Sequence, residues 1–136
     1  MQWYAKMMAT GVEAVDNQHQ EIIKKVNDLK QAVNSGAIKE KEINGMIVFL
    51  TEYVIEHFRT EEALQMEIDY YGYDEHRREH EDLIKKVSAM HGEFQRGGIT
   101  FENIHKLIAM LETWLLEHIA GSDSMFAKCY RQATQE

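Results

Sequence analysis

Seven ionisable side chains stand at positions where a helical apolar pattern calls for leucine or valine. They are His19, His57, Glu61, His76, His80, His118 and Asp123. His57 and Glu61 are four residues apart, so they stack on one helix face, which is otherwise an apolar stripe from Ile43 to Leu64. Burying one unpaired charge costs several kcal/mol. The set therefore predicts a partner that satisfies all seven groups, and a metal centre is the simplest such partner.

The chain of 136 residues has no proline and is 44% hydrophobic, which favours long helices in a single domain. Apolar residues at helical spacing predict four long helices and a short last one, at residues 16–35, 39–70, 74–95, 101–120 and 122–132. Asp16, Asp74 and Thr100 are the predicted N-caps, and Gly36 and Gly72 the predicted stops. The short connections predict an all-α, up-down-up-down antiparallel four-helix bundle spanning residues 1–136.

The two ends of the chain lie outside this helical pattern. Residues 1–15 show no clear period and carry Trp3, Tyr4, Met7 and Met8. We expect an ordered N-terminal arm whose aromatic side chains pack on the bundle, with a frayed leader as the alternative. Residues 122–136 form a short C-terminal tail that begins as a helix.

Net charge is −8, and the 15 lysines and arginines are dispersed among 23 acidic residues. Nucleic acids and anionic membranes are therefore not expected partners. No apolar run approaches the roughly 18 to 20 residues that span a bilayer, and the N-terminus lacks the apolar core of a signal peptide. The single cysteine, Cys129, cannot form an intrachain disulfide. We expect a soluble protein of a reducing compartment, the cytoplasm.

The seven ionisable residues are predicted to lie at one end of the bundle. His19 lies near the start of the first long helix, His57 and Glu61 near the end of the second, and His76 and His80 near the start of the third. His118 ends the fourth. Position along a helix sets depth at about 1.5 Å per residue, and alternating helices bring these positions to the same level. The side chains can therefore meet in one layer.

The number of ligands narrows the choice of metal. Two octahedral ions offer about 12 positions. Five imidazoles, two bridging carboxylates and one bridging oxygen leave one position open. Imidazole suits iron, copper, nickel or zinc, and octahedral bridging by carboxylates favours iron. Tetrahedral zinc does not need seven ligands.

The spacing of His118 and Asp123 is irregular for a helix. Five residues place Asp123 about 140° off the face of His118, so a regular helix cannot aim both side chains inward. We predict a π-type widening or a helix break at residues 120–122, where Gly121 would make the distortion less costly.

Other polar residues have ordinary interpretations. His91 and His105 lie on the order of 16 to 20 Å along their helices from the nearest candidate ligand, so we expect them to be solvated or hydrogen-bonded at the core edge. Cys129 is expected to be a packed small residue, and Glu62 to point outward. A single core histidine is usually only hydrogen-bonded, so the hypothesis depends on the whole set.

The motifs DNQH, EHFRTEE, YGYDEH and TWLLEHI resemble those of the hemerythrins, here of the bacterial type, and the likeness covers residues 11–126. This resemblance implies a non-haem di-iron centre with a bridging oxo or hydroxo group. One iron would be held by His76, His80 and His118, and the other by His19 and His57 beside an open position. Glu61 and Asp123 would bridge the irons. Many relatives carry tyrosine where this chain has Phe126.

The resemblance also implies reversible O2 binding, for storage, delivery or sensing, and not an enzyme. The expected O2 pocket is apolar and lacks titratable groups. Its predicted lining residues are Ile22, Ile23, Phe58, Trp114, Leu115 and Ile119. One alternative is a di-iron enzyme acting on peroxide or nitric oxide, which would need a proton donor beside the open position. Another is an O2-sensing or redox-sensing domain of a larger receptor, and a third is a metal-free structural bundle.

Overall fold

The computed structural model describes residues 1–3, 5–36 and 39–135. These residues form six α-helices and one π-helical turn, and no strand. The elements are α1 (Ala5–Met8), α2 (Glu13–Ser35), α3 (Glu40–Glu67), α4 (Tyr73–Gly97), α5 (Phe101–His118), the π turn (Ile119–Asp123) and α6 (Ser124–Thr134). Helix α2 packs against α3 and α5, and α4 packs against the same two helices. The predicted all-α four-helix bundle is confirmed.

Helix ends follow the predicted chemistry at some positions only. Thr100 is confirmed as the N-cap of α5, where its side chain accepts from the Asn103 backbone N–H and the Asn103 side chain accepts from the Thr100 N–H. Gly36 ends α2 in the left-handed conformation, with φ of 66°. Asp74 is not a cap, because α4 begins one residue earlier at Tyr73. Helix α3 ends at Glu67, ahead of the predicted stop at Gly72.

The predicted N-cap at Asp16 is also wrong. Helix α2 begins at Glu13, which places Asp16 inside the first turn. Its carboxylate turns back and accepts from the Thr10 backbone N–H at 2.8 Å, the Thr10 hydroxyl at 2.7 Å and the Gly11 N–H at 3.1 Å. Asp16 therefore fixes the approach of the chain to α2, where Gly11 takes a φ of 81°.

The N-terminal arm packs on the bundle. Met8 is buried in the main core cluster, and Trp3 packs against that cluster while partly exposed. Helix α1 lies against the π turn. Met7 is exposed, and Tyr4 lies outside the described residues. The predicted ordered arm is thus confirmed for Trp3 and Met8.

The core runs along the bundle axis and is built from the inner faces of α2, α3, α4 and α5. Its aliphatic residues include Ile22, Val26, Ile47, Leu83 and Leu107, each at most 2% exposed. No helix among the described residues is long and apolar enough to cross a membrane.

Candidate metal centre

The structure brings the seven ionisable residues together at one end of the bundle. All seven are buried, and the most exposed of them, His118, is 6% exposed. The N-terminal parts of α2 and α4 and the C-terminal parts of α3 and α5 supply the histidines, and the π turn supplies Asp123. These side chains fall into two groups that share both carboxylates.

The larger group contains three histidines, and we call it the three-histidine group. His76 Nε2 lies 2.9 Å from His118 Nε2, and His80 Nε2 lies 3.1 Å from the same atom. Asp123 Oδ1 is 2.8 Å from His76 Nε2 and 3.1 Å from His118 Nε2. Glu61 Oε2 is 3.3 Å from His76 Nε2. Three imidazole nitrogens and two carboxylate oxygens therefore face one point.

The smaller group, the two-histidine group, contains His19 and His57. Asp123 Oδ2 lies 2.9 Å from His19 Nε2, and Glu61 Oε1 contacts His57 Nε2 and lies 3.6 Å from His19 Nε2. Each carboxylate thus turns one oxygen toward each group. A carboxylate placed in this way is suited to bridge two cations.

The π turn is what lets Asp123 reach the centre. The predicted widening after His118 is confirmed, because residues Ile119–Asp123 form a π-helical turn. The Ser124 hydroxyl donates to the Ile119 carbonyl at 2.8 Å across this turn. Gly121 is not required sterically, because an added Cβ would meet nothing within 4 Å and its φ is not positive. The extra residue in the turn rotates Asp123 onto the face of His118.

Two observations show that the residues fit metal ions. Several buried polar atoms have no hydrogen-bond partner among the described residues, although charged neighbours are close. These atoms include His19 Nε2, His57 Nε2, both carboxylate oxygens of Glu61 and Asp123 Oδ2. In addition, adjacent ligands of an octahedral ion with bonds of about 2.1 Å are about 3.0 Å apart. The nitrogen separations of 2.9 and 3.1 Å in the three-histidine group match that spacing.

Three of the five histidines have an outer acceptor beside Nδ1, which leaves Nε2 to face the centre. His57 donates to Gln18 Oε1 at 2.6 Å, and His80 donates to Glu62 Oε2 at 3.0 Å. Glu79 Oε2 lies 3.0 Å from His118 Nδ1. His76 Nδ1 lies 2.5 Å from the amide nitrogen Gln65 Nε2, and Gln65 Oε1 is buried without a hydrogen-bond partner in the described residues, so ligation through His76 Nε2 needs that amide turned over to present its oxygen. His19 Nδ1 has no hydrogen-bond partner in the described parts of the chain.

These outer partners are functional candidates that the sequence reasoning missed. Glu62 was expected to point outward, but it reaches back to His80. The available signal was proximity in sequence: Gln18 precedes His19, Glu79 precedes His80, and Glu62 follows Glu61. Each therefore lies beside the apolar face and not on it, and long side chains can bend back toward a neighbouring helix.

Charge compensation dominates the electrostatics of the centre. Burial lowers the pKa of His19, but the carboxylates of Asp123 and Glu61 outweigh burial and raise it to about 9. The same balance raises the pKa of His76 to about 10 and that of His118 to about 9. Burial lowers the pKa of His80 to about 3, against a smaller opposing effect of Glu61.

The two carboxyl groups stay ionised despite their burial. Burial and the nearby Asp123 raise the pKa of Glu61, but the imidazoles around it outweigh both and lower it to about 2. Burial likewise raises the pKa of Asp123, and its contacts with His118 and His19 bring it well below the usual range. The centre therefore pairs two buried carboxylates of lowered pKa with histidines whose pKa values are raised.

The predicted pocket residues divide between the two groups. Phe58 stacks on His80 with ring centroids 3.8 Å apart, and Trp114 stacks on His118 at 4.2 Å. The ring of Trp114 therefore lies against the three-histidine group, although it was expected beside the two-histidine group. The ring of Phe58 lies between the groups, because it is also 6.0 Å from the ring of His57. Trp114 is one turn from His118 on the same helix face, and Phe58, next to His57, faces α4. The aliphatic members of the set, Ile22, Ile23, Leu115 and Ile119, are buried in the main core cluster.

The remaining histidines and the cysteine take no part in either group. His91 Nε2 lies 3.1 Å from Asn44 Oδ1, and His105 contacts Asn34 at 3.0 Å and the Phe101 carbonyl at 2.6 Å. Cys129 is a free, partly buried thiol. The predictions for His91 and His105 are confirmed.

Comparisons with known proteins agree with this geometry. The sequence profile of the family described as Hemerythrin HHE cation binding domain matches residues 10–130. A bacteriohemerythrin of Pseudomonas paraeruginosa is 31% identical over 131 residues, which cover 93% of this chain and 80% of that protein. A bacteriohemerythrin of Methylococcus capsulatus is 28% identical over 129 residues, covering 95% of both chains.

A solved structure shows the same fold. The crystal structure of a wild-type hemerythrin matches with a TM-score of 0.83 and 26% sequence identity, over 96% of this chain and 97% of the other. The family profile and the fold each extend over most of the length of the chain. The chain therefore belongs to the hemerythrin family.

Proposed function

We propose that the protein holds two iron ions at this centre and binds O2 reversibly, for storage, delivery or sensing. The observation that carries the proposal is the unequal division of ligands between two groups that share their carboxylates. The three-histidine group offers five ligand side chains and the two-histidine group offers four. With a shared oxo or hydroxo bridge, the first iron would be six-coordinate and the second would keep one open position.

Each residue has a defined role in this proposal. His76, His80 and His118 hold one iron, His19 and His57 hold the other, and Glu61 and Asp123 bridge them. Bound iron would supply the electrons that O2 takes up on binding. The outer contacts of Gln18, Gln65, Glu62 and Glu79 keep the imidazoles oriented, so that the ligand geometry is set before the metal arrives.

The surroundings of the two-histidine group favour binding over chemical turnover. Ile22 and Ile23 lie one turn beyond His19 on α2. Helix α5 packs against α2 and contributes Leu115, and Ile119 follows directly after the end of α5. All four are at most 4% exposed. Aliphatic side chains cannot deliver a proton, and they exclude the water that could. A ligand bound there would leave by dissociation and not by protonation.

Optical spectroscopy of the iron-loaded chain tests the proposal. The protein is reduced without oxygen, exposed to air, and then returned to vacuum. We expect a visible charge-transfer spectrum that forms in air and disappears under vacuum over repeated cycles. Immediate irreversible oxidation, or catalytic loss of added peroxide or nitric oxide, would instead support an enzyme. A chain that takes up no iron would overturn the proposal altogether.

A further inference from the structure

The two groups of the centre differ in what supports their imidazoles. In the three-histidine group, carboxylates contact two of the three rings: His80 donates to Glu62 at 3.0 Å, and His118 lies 3.0 Å from Glu79. In the two-histidine group, a neutral amide contacts His57, and His19 Nδ1 has no hydrogen-bond partner within residues 1–3, 5–36 and 39–135. Two outer negative charges therefore face one group and none faces the other.

The two outer carboxylates are partly exposed to water. The Glu62 side chain is 22% exposed and that of Glu79 is 36% exposed, so water reaches both while their inner oxygens face the rings. The Ser122 hydroxyl donates to Glu79 Oε1 at 3.0 Å and holds that side chain in place. Ser122 belongs to the π turn, so the distortion that aims Asp123 inward also positions Glu79.

A carboxylate that accepts the Nδ1–H of a ligand histidine draws the proton toward itself and increases negative charge on the ring. Negative charge on a ligand stabilises the more positive oxidation state of the metal more than the less positive one. The effect is directional because it passes through the ring to one metal. The neutral amide of Gln18, which contacts His57, draws the ring proton much less and therefore stabilises the higher oxidation state much less.

We propose that Glu62 and Glu79 are positioning residues that make the iron of the three-histidine group the easier of the two to oxidise. In a centre that has lost one electron, the ferric charge is then located at that iron, and the iron with the open position remains ferrous. This inference rests on the proposed di-iron centre, but it does not depend on O2 binding.

Redox titration of the iron-loaded protein tests the inference. Glu62→Gln and Glu79→Gln keep the shape of each side chain and remove its charge. We expect each variant to lower the ferric-to-ferrous ratio at a fixed potential about tenfold, which is a rise of about 59 mV for a one-electron couple.

Glu81→Gln and Glu117→Gln are the matched controls. Glu81 lines the same surface groove as Glu62 and His80, and Glu117 lines the same groove as Glu79 and His118. Each control variant removes one negative charge from a similar place on the surface. In the described part of the chain, neither Glu81 nor Glu117 contacts a candidate metal ligand. We expect shifts below threefold. Equal shifts in controls and test variants would overturn the inference, because the effect would then be general charge and not the ring contact.

If Glu62→Gln and Glu79→Gln lose iron, a variant that adds a negative charge can be used instead. Gln18→Glu places a carboxylate on His57 at a partly exposed position, so it should lower the potential of the two-histidine iron. In Mössbauer spectra of the half-oxidised protein, Gln18→Glu should change the ferrous component relative to the wild-type protein. A change confined to the ferric component would overturn the inference.

The zinc-loaded protein gives a readout that needs no redox chemistry. Proton NMR should show a strongly downfield Nδ1–H signal of His80, which is lost in Glu62→Gln and kept in Glu81→Gln. A wild-type spectrum without that signal would overturn the inference. A protein that loads two irons but does not bind O2 would contradict the proposed function and leave the redox test valid.

Discussion

Asp123→Asn tests the bridging role most directly. The carboxylate of Asp123 turns one oxygen toward each histidine group, at 2.8 Å from His76 Nε2 and 2.9 Å from His19 Nε2. An amide of the same shape can offer only one oxygen and carries no charge. One group would then lose a ligand: either the three-histidine group falls from five ligand side chains to four, or the two-histidine group falls from four to three. Loss of an outer contact alone costs about 10- to 100-fold in metal affinity, so loss of a direct ligand should cost at least about 100-fold.

Iron content per chain, measured by elemental analysis after gel filtration, is the appropriate assay. We expect the wild-type protein to retain two irons and Asp123→Asn to retain about one, held by the three-histidine group. Glu117→Gln, which removes an exposed charge on α5, serves as the control and should keep two. Two tightly held irons in Asp123→Asn would refute the assignment of Asp123 as a bridge, since neither group could then depend on it.

Three further predictions concern the cap, the π turn and metal uptake. Thr100→Ala should lower the free energy of unfolding by about 1 kcal/mol without changing iron content, measured by denaturant titration, because it removes the cap of α5. Gly121→Ala should keep iron content and leave stability unchanged or raise it by up to about 1 kcal/mol, because a Cβ meets nothing within 4 Å; loss of iron would contradict this. Anaerobic Fe²⁺ uptake at pH 7 should release close to four protons per chain: three from His19, His76 and His118, whose pKa values are raised to about 9, 10 and 9, and one from the water that would form the hydroxo bridge. Since iron binds the deprotonated rings, the apparent affinity for Fe²⁺ should rise with pH up to these pKa values. An affinity that does not change with pH in a buffered competition assay would contradict this prediction.

The location of the centre could be inferred from sequence because it depends on helical geometry. Depth along a helix follows from residue number, so His19, His57, His76 and His118 were expected at one level, where the structure places them. The same arithmetic showed that His118 and Asp123 could not share a face on a regular helix, and the π turn resolves that conflict. Local geometry of this kind needs no knowledge of neighbouring helices.

Contacts that depend on rotamers could not be inferred in this way. Glu62 lies next to the apolar stripe, and only the position of α4 shows that its side chain bends back to His80. Phe58 and Trp114 were expected beside the two-histidine group, but the packing of α3, α4 and α5 places their rings on His80 and His118. Asp16 has the chemistry of an N-cap, yet the preceding segment folds so that the same carboxylate binds Thr10 and Gly11.

Helical periodicity assigns each residue a face and a depth, so the order of residues is enough to predict a helical bundle with five imidazoles and two carboxylates at one end. The division of the carboxylate oxygens between the two groups, and the choice of rings that have a charged outer partner, follow from how the helices pack. Those features depend on distances of about 3 Å between side chains of different helices, and the period of a single helix carries no information about them.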